Sequence, residues 1–142
     1  MSRLSGMLSA IAAVFALTLV GCGPSTYQLQ PTDLTPSATG KVEVEDADEN
    51  ENYKVDLEVK HMAPPKNLGP SLSTYVVWLD TAESAQTIKV GQLKVNEDSR
   101  EADIEFTTPY SDFEVLVTAE PNKTVGAPGN KVVLRQRVSA GG

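Results

Sequence analysis

The chain has 142 residues, enough for one core and too few for two. Nineteen acidic residues outnumber twelve basic ones, and a formal charge of −7 disfavours nucleic acid and anionic headgroups as partners. A single His and a single Cys exclude a His-cluster zinc site and argue against a nucleophilic hydrolase.

The N-terminus reads as a secretory signal. Arg3 supplies positive charge, Met7 to Val20 is mostly apolar, and no charged residue falls between Leu4 and Cys22. An uncleaved span is the competing reading, but it needs about 20 apolar residues, and Ser5, Gly6, Ser9 and Thr18 dilute the run. An ordinary cleaved signal leaving Cys22 as a free thiol is the other alternative. The tetrapeptide Leu19, Val20, Gly21, Cys22 resembles the lipobox of bacterial lipoproteins. That resemblance implies a signal peptide over 1–21, cleavage between Gly21 and Cys22, a diacylglycerol on the Cys22 thiol and acylation of the new amino group. Each buried methylene contributes about 0.8 kcal/mol, so two or three acyl chains hold the protein on a membrane stably. The residue after the anchor is Gly23 rather than Asp, which by the same resemblance favours the outer membrane where there are two. Loss of Arg3 makes the mature chain one unit more negative still.

Cys22 and the following residues to Gly40, with three prolines and several Ser and Thr, read as a lipidated Cys and flexible tether over 22–40. An 18-residue coil of that kind spans about 25 Å. The competing reading docks Tyr27 to Gln30 as an edge strand.

From Lys41 the dominant period is two, the signature of half-buried strands. Val42 and Val44 alternate with acids; Tyr53, Val55, Leu57 and Val59 alternate with Lys54, Asp56, Glu58 and Lys60. In LSTYVVWLD both parities are apolar, which predicts a strand covered on both faces. In TIKVGQLKV the parity flips, which predicts a bulge or bend at Gly91. Ile104 and Phe106, then Phe113, Val115, Val117 and Ala119, and finally KVVLRQRV complete seven strands separated by polar, Pro- and Gly-rich turns. Seven short antiparallel strands with a Trp on the third fit an immunoglobulin-like β-sandwich over 41–140, with Trp78 at the core position and Tyr110 placed for a tyrosine-corner hydrogen bond.

The segment from Leu72 onward is similar to the extracytoplasmic domain of anti-sigma K factors. The residues that carry the likeness are Tyr75, Trp78, Leu79, Gly91, Leu93, Glu120, Pro121, Pro128 and Gly129. The resemblance implies a β-sandwich outside the cytosol. Such a factor also has a helical sigma-binding region and a membrane span, and this chain reads as having neither, so the regulatory activity does not carry over with the fold.

Few residues are candidates for chemistry. His61 shares the parity of Tyr53 to Val59 and is expected as the polar end of that inward row. Asp46, Asp48 and Asn50 have the spacing of the first half of an EF-hand loop, but Glu51 stands where Gly is needed and Leu57 where the bidentate Glu belongs. They remain weak calcium candidates, with a solvated hairpin turn as the plain reading. Glu114 and Glu120 are the carboxylate pair a hydrolase would use. The Pro- and Gly-rich EPNKTVGAPGN is long for a hairpin and serves either recognition or an awkward connection; its Asn122, Lys123, Thr124 triplet has little meaning as a glycosylation acceptor in a bacterial lipoprotein.

The sequence thus points to a lipid-anchored envelope protein whose β-sandwich is a non-enzymatic binding or structural module. It uses no cofactor, and its expected partner is an envelope protein or glycan. The alternative is an extracytoplasmic sensor related to anti-sigma signalling, without a sigma-binding region of its own.

Overall fold

The computed structural model describes residues 23–47 and 52–140. Gly21, Cys22, Asp48 and Asn50 lie outside the described residues, and with them the lipidation and cleavage positions and two of the calcium candidates.

Eight strands form the body: β1 (Ser25–Pro31), β2 (Thr39–Ala47), β3 (Asn52–Lys60), β4 (Thr74–Asp80), β5 (Ile88–Leu93), β6 (Ala102–Thr108), β7 (Asp112–Glu120) and β8 (Val132–Ser139). They make one antiparallel sheet in the order β5-β4-β7-β8-β1-β2-β3-β6. The sheet wraps round a common core until its two free edges, β5 and β6, approach without pairing, which gives a nearly barrel-shaped body.

All seven expected strands are present, and the extra one is β1. Its first half pairs with β2 from Ser25↔Val44 to Leu29↔Gly40, and its end pairs with β8 at Gln30↔Arg135 and Pro31↔Leu134. The segment expected to be a tether is therefore built into the domain. Leu29 is buried, and the turn after β1 buries Thr35 and Ala38, with the Thr35 hydroxyl donating to the Val133 carbonyl at 3.0 Å. Nor is β1 an edge strand, as the alternative had it, because it joins the two halves of the sheet.

Alternation sends Val42 and Val44, Val55, Leu57 and Val59, and Phe113, Val115, Val117 and Ala119 into one cluster with Tyr75, Val77 and Leu79. Each such side chain contributes about 1.5–3 kcal/mol when fully buried. The predicted irregularity in β5 is there: Val77 pairs with Gly91 but Trp78 with Lys89, leaving Val90 as the extra residue. The slip lets both Ile88 and Leu93 pack on the core.

Strand β4 is covered on both faces, as its composition requires. Trp78, however, is not in the main core. With Val76 and Leu116 it forms a second cluster on the outer face of β4 and β7, packed by Val125 and Val132. The parity that sends Tyr75, Val77 and Leu79 inward sends Trp78 outward, and the β7–β8 connection covers it. The Trp78 Nε1 donates to Thr118 Oγ1 at 2.8 Å, the Thr118 hydroxyl donates to Glu120 Oε2 at 2.6 Å, and the Gly129 amide donates to the same oxygen at 2.8 Å. One carboxylate thus ties the covering loop to the sheet.

Strand register fixes the two ends of the molecule. Ser25 is level with Val44, Val55 and Phe106, whereas Thr39 pairs with Lys60 and Val59 with Ala102. Five residues separate Val55 from Lys60, a distance of about 17 Å along the strand. The chain therefore enters β1 at one end of the sheet, where the Tyr27 hydroxyl also reaches the Ser139 carbonyl at 2.8 Å. The β3–β4, β5–β6 and β7–β8 connections all lie at the other end.

Candidate binding groove

Two of those connections enclose a groove of about 760 Å³. One wall is the β3–β4 connection, stiffened by the 3-10 turn Pro65–Asn67, which starts where Pro64 and Pro65 fix φ before a helical turn. The other is the β5–β6 connection, a tight turn whose Asn96 Oδ1 accepts the amides of Asp98 at 2.8 Å and Ser99 at 2.9 Å. The floor is Met62, Tyr75 and Leu93, all buried.

The walls are fastened to each other. His61 and Arg100 adopt left-handed backbone at φ 59° and 60°, the only two non-glycine residues with positive φ among the described residues. Each such residue costs about 1–2 kcal/mol. The Met62 amide donates to the Arg100 carbonyl at 3.1 Å, and the Arg100 guanidinium donates to the Glu97 carbonyl at 3.1 Å and, more weakly, to that of Met62 at 3.5 Å. The Tyr75 hydroxyl donates to the Ala63 carbonyl at 2.5 Å. Burial pushes the Tyr75 phenol up to about 12, with Arg100 pulling weakly the other way, so the ring stays neutral and a donor at any ordinary pH.

The residues singled out from the sequence are not gathered here. His61 turns out of the inward row: β3 ends at Lys60, the left-handed kink leaves His61 exposed, and Met62 takes the buried place. Tyr110 packs against the core, and the tyrosine hydroxyls that reach distant backbone carbonyls are those of Tyr27 and Tyr75. Glu114 and Glu120 share a face of β7 but stand six residues apart, about 20 Å along a strand. Glu114 is spoken for by Arg135 at 2.8 Å, and Glu120 by the loop it holds. Asp46 pairs with Tyr53 at the other end of the sheet, exposed, and no group of three metal-ligating side chains occurs among the described residues.

Sequence reasoning missed the groove because its lining comes from 62–75 and 92–100, two stretches that no period or motif connects. In the sequence the Pro64, Pro65 pair and the stretch NEDSR carry turn signals and nothing more. The chain matches no known family model and no curated protein.

Proposed function

We propose that this protein is a lipid-anchored lipoprotein of the bacterial cell envelope, on the outer membrane where there are two, whose immunoglobulin-like domain is a non-enzymatic binding module. The lipobox-like Leu19 to Cys22 supports the anchor. The strand order supports the domain reading, with β6-β3-β2 and β5-β4-β7-β8 facing each other across one core and β1 closing the seam between β2 and β8.

The observation that carries the reading is the polarity of the fold. Ser25 begins β1 three residues after Cys22, at the end of the sheet away from the groove. Three residues span at most about 10 Å, so acyl chains on Cys22 hold the body close to the bilayer with the groove turned outward. Binding fits that arrangement better than catalysis, since the one histidine is exposed and the nominated carboxylates lie far apart.

Intact mass spectrometry of the protein from native membranes tests the anchor. The expected mass is that of the chain from Cys22 plus its lipid; an unmodified thiol with residues 1–21 still attached overturns the reading.

A further inference from the structure

The positive charges of this acidic protein are unevenly used. Lys41, Lys54, Arg135 and Arg137 are held in ion pairs on the sheet faces. Lys60, Lys66, Lys94, Arg100 and Lys131 belong to the groove end, Lys89 and Lys123 stand on the outer face with the loop over Trp78, and none of these seven takes part in an ion pair among the described residues. The exposed acids at that end are Asp33, Glu97, Asp98 and Glu101. In a chain of formal charge −7, the groove itself is lined by more cations than acids, Lys66, Lys94 and Arg100 against Glu97 and Asp98. Such a patch steers anionic partners and rejects cationic ones.

We propose that the groove binds an extended acidic peptide segment of another protein. This names the partner of the site described above and rests on its reading as a binding module. The groove volume suits a few residues of extended chain. Pro64, Leu72 and Val95 offer apolar surface to alternate side chains, while Lys66, Lys94 and Arg100 take carboxylates. Ser73, Gln92 and Asn96 also line the groove, with their side chains bonded to Pro121, Thr74 and the β5–β6 turn, so they hold its shape. A glycan fits less well: the only aromatic in the lining is Tyr75, which is 1% exposed and presents no ring face for a sugar to stack on. An anionic membrane is opposed by geometry, because the cations stand at the end away from the start of β1.

The test uses the full mature chain and an array of 12-residue peptides of graded charge, with anionic polysaccharides as a parallel arm. Acidic peptides are expected to bind, to shift the backbone amide resonances of Met62, Ala63, Lys66 and residues 92–100, and to weaken as salt rises. The Lys66→Gln/Lys94→Gln variant should bind them at least ten-fold more weakly, with an unchanged melting temperature as the folding control. Lys41→Gln/Lys54→Gln, on a sheet face, should bind as the parent does. Arg100 is left in place because its guanidinium also holds its own turn. Charge-indifferent peptide binding, or polysaccharide binding at the same amides, overturns the acidic-peptide proposal and leaves a binding module standing. No perturbation of the groove by any probe overturns both.

Discussion

The two outer faces of the sheet obey the same alternation and end in opposite conditions. On β2, β3 and β6 the outward residues are charged and wet: Glu43, Asp56 and Glu105 form one rung, flanked by Lys41, which pairs with Glu43 and Glu58, and Lys54, which pairs with Glu45 and Glu105. On β4 and β7 the outward residues are Val76, Trp78, Leu116 and Thr118, and a connection of eleven residues folds over them. A strand therefore presents apolar residues on its outer side only where another piece of chain covers them; elsewhere charge keeps the face solvated and blocks sheet stacking.

If that contrast is right, the covered face should be the sensitive one. Trp78→Ala removes a fully buried ring and the donor to Thr118, and should lower stability by about 3–5 kcal/mol in a urea titration. Glu120→Ala leaves the Thr118 hydroxyl and the Gly129 amide without their acceptor, at a cost of about 1–3 kcal/mol. Hydrogen exchange should then quicken through 121–131 while β2 and β3 keep their protection; uniform quickening would mean that the loop and the sheet open as one unit.

On the wet face the effects should be small and one should have the opposite sign. Burial, then the neighbouring carboxylates Glu58, Glu105, Asp103 and Glu43, raise the Asp56 pKa. A raised carboxylate pKa means the folded state binds more protons than the unfolded, so this residue's contribution grows more favourable as pH falls through its folded pKa. Asp56→Asn should therefore stabilise the domain at neutral pH by a few tenths of a kcal/mol, roughly the scale of exposed ion pairs, and flatten the pH dependence of its melting temperature. Lys54→Gln should lower the melting temperature only slightly, with the difference fading in high salt.

The parts of the fold written in period two were legible. Seven strands, the double-sided burial of β4 and the bulge beside Gly91 all follow from where apolar residues recur. Strand β1 was not, because STYQLQP has only Tyr27 and Leu29 to offer a core and ends in proline; it is held by backbone pairing to both neighbours, which leaves little mark on side-chain identity. The side on which Trp78 lies is fixed by parity with Tyr75 and Val77, yet comparison with sandwiches that bury a central Trp pointed the other way. The groove was invisible for a further reason: it exists only once two connections distant in sequence meet, and the left-handed bends at His61 and Arg100 that join them have no glycine to announce them.

The placement of β1 also sets how the protein answers to pulling. A partner held at the groove and an anchor just ahead of Ser25 would stretch the molecule lengthwise, parallel to its strands. The rungs from Ser25 to Leu29 would then bear the load together in shear, instead of unzipping one after another, and the first strand would act as a mechanical clamp between the two halves of the sheet.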